Sequence, residues 1–432
     1  MRHAYLAAVT LMLALVATAA DDAPPNIIFV LTDDLGYGDL GVYGSTMIST
    51  PNLDALAEQG LKLTSYYAPA NVCTPSRAAL LTGRQPIRMG LAAGVIRPES
   101  THGLPQSETT LATLLRNHGY RTAMIGKWHL GHTPEHWPTA HGFDRFYGVP
   151  YSNDMIPFPL YDGDEVIEEP ADQARLTERY TDATIAFIEE AGDAPFFVYL
   201  AHTFPHIPLF AAEPFRGQSD AGLYGDTVET IDWSMGRIVQ ALEEAGVAEN
   251  TLIMFTSDNG PWFEGSSGAS RERKGATWEG AYRVPFIAYW PAGLPANRVI
   301  DAAVTGLDMF PTLARVAGAS VPEELELDGA DIWPVLSEGA DTPHEEILFF
   351  NEDQIAAIRM GDWRLVVRSY YKTWDVPLAT AGYPLLFDLA RDPGENYSMA
   401  PDEPERVERM LRAIEAANER FEVPEPPPFP PQ

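Results

Sequence analysis

Four short apolar runs of this sequence end in residues able to do chemistry. Phe29-Val30-Leu31 leads into Asp33 and Asp34, Met124-Ile125 into Lys127 and His129, Val198-Tyr199-Leu200 into His202 and His206, and Met254-Phe255 into Asp258 and Asn259. Asp33, Asp34, Asp258 and Asn259 offer only oxygen ligands, and gathered carboxylates repel one another unless neutralised. A hard divalent cation such as calcium is their natural occupant, whereas zinc would prefer the histidines. Arg77, Lys127, His129, His206 and Lys274 bring positive charge or hydrogen-bond donors, which suits an anionic substrate. Each group also has a bland reading, as a turn around Gly36 and Gly38, as the turn sequence Asp258-Asn259-Gly260, or as a satisfied structural histidine. The coincidence at four strand ends is what favours a site.

The elements that must position these residues can be read from periodicity. The segments 27–31, 122–125, 196–200, 252–255 and 285–289 are short and rich in β-branched or aromatic residues, as buried strands are. Between them lie helical patterns. Leu111, Leu114 and Leu115 share a face that stops at Gly119, and Val228, Ile231, Met235, Ile238, Val239 and Leu242 share another, with Asp226 and Glu229 spaced as a capping box. Alternating strands and helices predict an α/β fold with a mainly parallel sheet sandwiched by helices. Parallel strands would bring all four reactive ends to the carboxyl edge, where open α/β sheets bind ligands. Beyond Pro343 the character changes: the segments 347–350, 355–360, 363–367 and 385–389 predict a small antiparallel sheet, followed by a helix with Val407, Met410, Leu411 and Ile414 on one face. The expected organisation is an N-terminal leader over 1–20, a large domain over 21–342, a C-terminal subdomain over 343–423 and a proline-rich extended tail over 424–432.

Composition narrows the class. The chain has 432 residues, 45% of them hydrophobic, and carries 61 acidic against 29 basic residues for a formal charge of −32. That balance argues against binding nucleic acid. The apolar content argues against disorder. Arg2 and His3 precede an apolar run from Ala4 to Ala17 and the small residues Ala17 to Ala20, the layout of a cleavable signal peptide and of an exported protein, periplasmic or extracellular. No later run is long enough to anchor the chain in a membrane. Export makes the single cysteine informative, because Cys73 has no intramolecular disulfide partner and lies in the polar stretch Asn71 to Arg77.

That stretch carries a resemblance. Cys73-Thr74-Pro75-Ser76-Arg77, continued as Ala78 to Arg84, resembles the signature of type I sulfatases, members of the alkaline phosphatase superfamily whose cysteine is oxidised to formylglycine. Gly126-Lys127-Trp128-His129-Leu130-Gly131 resembles their second signature, and Asp33 to Asp39, Pro205 to Pro208, Ser257 to Gly260 and Lys274-Gly275 follow in the family's order. The resemblance runs from about Asn26 to about Pro393 and is arylsulfatase-A-like.

It implies an alkaline-phosphatase-like fold and a formylglycine-dependent sulfuric ester hydrolase. The implied calcium ligands are Asp33, Asp34, Asp258, Asn259 and the modified side chain of Cys73. Arg77 and Lys127 would steady the formylglycine hydrate and the sulfate, His129 would be the hydrate's hydrogen-bonding partner, and His206 with Lys274 would flank the sulfate and leaving oxygen. Ser152 resembles a further sulfate-contacting position. In the implied reaction one hydroxyl of the hydrate attacks sulfur with Asp258 placed to accept a proton, His206 or Lys274 stabilises the leaving oxygen, and His129 takes the second hydroxyl's proton as sulfate departs. A formylglycine-generating maturation enzyme is an implied partner, and a sulfated carbohydrate the expected substrate, with aryl sulfates as artificial ones. The alternatives are a phosphodiesterase or phosphonate monoester hydrolase of the same superfamily, a non-catalytic carbohydrate-binding relative, or a plain exported α/β protein with an unmodified cysteine. Specificity is expected in the loops 91–102, 151–169 and 262–273, and a basic mouth at Arg97, Arg271, Arg273, Lys274 and Arg283, unless these cations merely pair with neighbouring acids such as Glu272 and Glu279.

Overall fold

The computed structural model describes residues 23–371, 374–380 and 382–425. The leader expected over 1–20 and the tail beyond 425 lie outside the described residues.

Ten strands form one sheet, ordered Arg298–Ile300, Leu61–Leu63, Phe286–Tyr289, Thr251–Ser257, Asn26–Thr32, Phe196–Ala201, Arg121–Lys127, Arg145–Val149, Leu160–Asp162 and Glu165–Glu168. Its centre is parallel: Asn26–Thr32 pairs with Thr251–Ser257 on one side and Phe196–Ala201 on the other, which in turn pairs with Arg121–Lys127. All seven residues of Asn26–Thr32 are buried, as a strand covered on both faces requires. Alternation then divides the core. Ile27, Phe29 and Leu31 join Leu111, Leu114 and Leu115 on one face, while Ile28 and Val30 meet Val228, Ile231, Met235, Ile238 and Leu242 on the other.

Two expectations are corrected. The helix carrying Val228 starts at Gly222, so Asp226 lies inside it and forms no capping box with Glu229. The Asp226 carboxylate instead accepts the backbone N–H groups of Gly217, Gln218 and Ser219 at 2.7, 3.0 and 2.9 Å. Three orphan donors of the preceding turn outcompete one helix terminus, and Glu229 reaches away to Ser49 N–H at 3.0 Å. Within 151–169, expected as a loop, residues 160–162 and 165–168 form an antiparallel hairpin that extends the sheet edge. Strands of three or four residues carry too few alternations for periodicity to reveal them.

A glycine contact brings the reactive edge together. Gly126, at φ +108°, passes so close to Phe196–Ala201 that a Cβ there would sit 1.9 Å from the Ala201 carbonyl oxygen, and a Cβ on Gly148 would sit equally close to the Gly126 oxygen. Side chains at either position would push apart the strand that delivers Lys127.

The C-terminal region forms a four-stranded antiparallel sheet of Ile347–Asn351, Gln354–Met360, Trp363–Val366 and Leu385–Asp388, with Pro404–Arg420 packing Met410, Ile414 and Ala417 against it. A separate pair, Ser369–Tyr371 with Trp374–Val376, has no counterpart in the sequence reading. Arg364 fastens this sheet to the body. Its buried guanidinium pairs with Glu395, lies 3.3 Å from Glu279 and donates to the Thr277 carbonyl at 2.8 Å. The segment it grips is continuous with Lys274.

His344 makes a second attachment, its Nε2 lying 2.8 Å from Asp308. Burial opposes the charged imidazole, but the hydrogen bond and charge of Asp308 prevail and raise its pKa. A raised folded-state pKa stabilises below the unfolded value of ~6.5, and that contribution disappears as pH rises through the folded value. His344→Ala is therefore expected to cost about 1–2 kcal/mol at pH 5.5 and measurably less at pH 9, read from denaturant midpoints. Equal losses at both pH values would refute the charged pair.

Candidate functional site

The four central strands end side by side, and the turns beyond them carry Asp258-Asn259, Asp33-Asp34, His202 to His206, and Lys127 to His129. Backbone hydrogen bonds continue past the strands: Asp258 N–H donates to Thr32 O at 3.0 Å, and His202 N–H to Leu31 O at 2.8 Å. Asp34 and His129 adopt left-handed backbone conformations, φ +66° and +61°, that non-glycine residues seldom occupy. Such conformations persist where surrounding structure holds them, often at functional sites. The helix Cys73–Thr82 brings Cys73 in at its first turn, and every residue of that helix is buried.

Cys73 lies at the centre of a ring of charges. Its Sγ is 3.3 Å from Asp33 Oδ1 and 3.5 Å from both Lys127 Nζ and Lys274 Nζ. Each nearby carboxylate has a cation: Asp33 pairs with Lys127, Asp34 with Lys274 at 2.7 Å, and Asp258 with Arg77, whose Nε and Nη2 reach one oxygen at 2.9 and 2.8 Å. The sequence reading placed Arg77, Lys127 and Lys274 at this edge as sources of positive charge, and each is paired with one of the three carboxylates. Among the described residues, ligand atoms of Asp33, Asp34, Cys73 and Asp258 lie within 4.8 Å of one another, and the buried Asn259 Oδ1 has no hydrogen-bond partner. Three carboxylates and an orphaned amide oxygen are oxygen donors that fit a hard cation, a fit to which the soft thiol of Cys73 adds nothing.

The ionisation states follow from burial and neighbours. Burial opposes the charge of Asp33, but Lys127, with Arg77 and Lys274 behind it, holds its carboxyl well below the usual range. Burial, then the Asp33 charge, push Asp258 up to about 6. Burial and the Asp33 carboxylate push the Cys73 thiol far up, so little thiolate exists at neutral pH. Lys274 stays charged because Asp34 outweighs the effect of burial.

The two histidines are neutral and differ in tautomer. Burial, then Lys127, push His129 well down. Its Nε2 faces the Ile96 carbonyl at 2.9 Å and must carry the proton there, leaving the buried, unpartnered Nδ1 as an acceptor. Burial also lowers His206, whose Nδ1 faces the Asn153 amide oxygen at 3.0 Å and the Ile207 carbonyl. Its Nε2 lies 3.3 Å from Ser152 Oγ, which accepts from Lys127 Nζ at 3.1 Å.

All eleven residues expected at the site come together: Asp33, Asp34, Cys73, Arg77, Lys127, His129, Ser152, His206, Asp258, Asn259 and Lys274. His202 does not join them. It is fully buried, pushed down to about 3 by burial, with its ring near Tyr180. Of the expected basic mouth, Arg283 belongs to the packing, donating to the Thr64 carbonyl at 2.7 Å beneath Tyr37. Arg271 lies on Trp278 at 3.8 Å and donates to the Glu395 carbonyl, while Arg97 is exposed. Carbonyls and rings, rather than the neighbouring acids, hold Arg271, Arg273 and Arg283. Sequence reasoning missed Asn153, although it adjoins Ser152, and Ser76, which bonds the Asp258 carbonyl. It also missed the Ile96 carbonyl, a backbone contact with no signature of its own.

Comparison with known proteins agrees with this geometry. The sulfatase family model matches residues 25–319, and the model of the C-terminal region of aryl-sulfatase matches 342–424. Arylsulfatase A from Bos taurus is 39% identical over 94% of this chain and 89% of its own length. Steryl-sulfatase from Mus musculus is 35% identical over 96% and 86%. The solved structure of Ps i-CgsB in complex with k-i-k-neocarrahexaose superposes with a TM-score of 0.81 at 31% identity, covering 91% of this chain and 92% of that one. With a family model spanning most of its length and its buried charges gathered around one cysteine, the chain belongs to the sulfatase family and is a sulfuric ester hydrolase.

Proposed function

We propose that this enzyme is exported, periplasmic or extracellular, and hydrolyses the sulfate esters of a sulfated carbohydrate, with Cys73 converted to formylglycine by a maturation enzyme and calcium held by Asp33, Asp34, Asp258, Asn259 and the modified residue 73. The observation that carries the reading is the convergence of Lys127 and Lys274 on a buried Cys73 side chain, so that two ammonium groups already stand where an anion attached to residue 73 would lie. The bound cation would lower the charge of the carboxylate cluster and polarise oxygens placed against it. The formylglycine would supply a hydrated aldehyde, with one hydroxyl to attack and a second to expel the product.

The remaining chemistry belongs to the chain. Lys127 and Lys274 can donate to sulfate oxygens, while neutral His206 can accept the Ser152 hydroxyl at Nε2 and orient it beside them. Arg77 fixes Asp258 from a fully buried position. With Nδ1 protonated and its pKa lowered, neutral His206 presents a lone pair at Nε2, whereas Lys274 retains its proton; Lys274 is therefore the better stabiliser of the leaving oxygen. His129, held by Ile96 with Nδ1 free, suits the acceptance of a proton from the hydroxyl that expels sulfate. Asp258, with a carboxylate oxygen within 4.8 Å of the Cys73 sulfur, is placed to accept a proton in the attacking step.

The expected substrate follows from the proposed compartment and from the charge. A protein of net charge −32 repels long polyanions over most of its surface. Sulfated oligosaccharides are expected to be turned over faster than the parent polymer, with moderate salt narrowing the gap through screening. Sulfate release from matched polymer and fragments at low and moderate salt measures this. Equal, salt-insensitive rates would remove the electrostatic argument, and turnover of phosphodiesters or phosphonates alone would overturn the proposed reaction.

A further inference from the structure

Directly after Asn259-Gly260-Pro261 the chain turns through Trp262 and Phe263, whose rings meet edge to face with centroids 4.8 Å apart. Phe263 is 69% exposed. Its backbone is nonetheless pinned. Lys274 N–H donates to the Pro261 carbonyl at 3.0 Å, and Arg273 Nη1 donates to the carbonyls of Trp262 and Phe263 at 3.3 and 3.1 Å. The Arg273 guanidinium also lies over the Phe263 ring, 5.2 Å from its centroid. On the other limb of the turn, Ser266 N–H donates to the Asp39 carboxylate at 3.0 Å and Gly38 N–H to the Ser266 carbonyl at 2.8 Å.

Exposed apolar side chains such as Ile156 and Tyr397 occur elsewhere on this surface, and what sets Phe263 apart is that its backbone is anchored by the segment that carries Lys274. Arg273 is the chain neighbour of Lys274, whose Nζ is 3.5 Å from Cys73 Sγ. The same contacts that fix the aromatic turn therefore fix its relation to the sulfate position. We propose that Phe263, braced by Trp262 and Arg273, is the platform on which a pyranose ring of a sulfated oligosaccharide stacks; this rests on the hydrolase reading above and specifies how the sugar is held.

The chemistry of the platform selects the sugar. A pyranose has one apolar C–H face and a rim of hydroxyls that remain hydrated, so a single open aromatic ring satisfies it. A fused hydrocarbon ligand has two apolar faces and needs enclosure. The guanidinium over Phe263 is attracted by the ring's electron-rich face, and 69% of the residue still lies open to solvent.

Calorimetry on the Cys73→Ala chain in calcium-containing buffer separates binding from turnover, with carrageenan and chondroitin sulfate tetrasaccharides and inorganic sulfate as probes. Adding Phe263→Ala is expected to weaken binding of at least one tetrasaccharide about five- to tenfold, the size of one aromatic stacking contact, while inorganic sulfate binding stays within about twofold. Phe263→Tyr should restore the tetrasaccharide affinity. In the active enzyme, Phe263→Ala should raise KM for the same oligosaccharide with kcat retained. Equal losses for sugar and sulfate, no loss for either, or no tetrasaccharide binding at millimolar concentration would overturn the platform. Binding that depends on Phe263, without sulfate release by the mature wild-type chain, would keep the platform and remove the proposed hydrolysis.

Discussion

Sulfate release is expected to fall by at least about 10³-fold when Cys73 is replaced by alanine, with the fold intact. Cys73 is 1% exposed, at the start of a helix buried along its whole length. Removing one sulfur atom there leaves a small void whose cost should stay near ~1 kcal/mol, so the melting temperature and near-ultraviolet spectrum should barely change. The loss of activity would then belong to chemistry. An unmodified thiol is an unsuitable nucleophile at this position, because burial and Asp33 suppress its ionisation. A thiol-bound sulfate would also have no internal route of release. Mass measurement of the peptide containing residue 73 gives an independent check. Conversion to formylglycine removes sulfur and two hydrogens and adds one oxygen, and the converted fraction should track specific activity across preparations. Full activity from protein with an intact thiol would end the proposal.

The sequence conveyed the parts of this molecule that are written in local pattern. Strand ends at Leu31, Ile125, Leu200 and Phe255 were legible because fully buried central strands are uninterrupted apolar runs, and their mutual parallel pairing then brought the reactive residues to one edge. Short edge strands such as Arg298–Ile300 were not legible, since three residues take their conformation from the neighbour they pair with. Asp226 misled for a related reason: a carboxylate near a helix start can cap either the helix or the loop before it, and only the folded path decides. At the site, residue identities were readable but their pairings were not. That Asp33 and Lys127, 94 positions apart, share a proton-rich contact depends on strand order. The tautomers of His129 and His206 depend on the Ile96 and Ile207 carbonyls and on Asn153, none of which carries a motif.

Substitution of Asp258 is expected to produce the other large effect, and the choice of substitution decides what is learned. Arg77 is fully buried, and its remaining contacts are the Lys127 carbonyl at 2.7 Å and Asp33 Oδ1 at 3.7 Å. Asp258→Ala would strand much of that charge, at a cost of about 3–5 kcal/mol, and would confuse instability with lost catalysis. Asp258→Asn retains shape and an oxygen acceptor for Arg77 while removing the anionic ligand. It should fold, bind calcium at least about tenfold more weakly, and stay inactive even in excess calcium, which refills the site without restoring a proton acceptor. Removal of calcium from the wild-type chain should act differently from unfolding. Because Lys127, Lys274 and Arg77 each already neutralise one carboxylate, chelation should abolish turnover while the metal-free protein keeps its cooperative thermal transition. Metal analysis, calorimetric titration and melting curves on the same samples measure all three quantities. Full activity in verified metal-free protein, or unchanged calcium affinity in Asp258→Asn, would exclude the carboxylate cluster as the cation site; collapse of the fold on chelation would show that the three buried ion pairs do not suffice to hold the strand ends together.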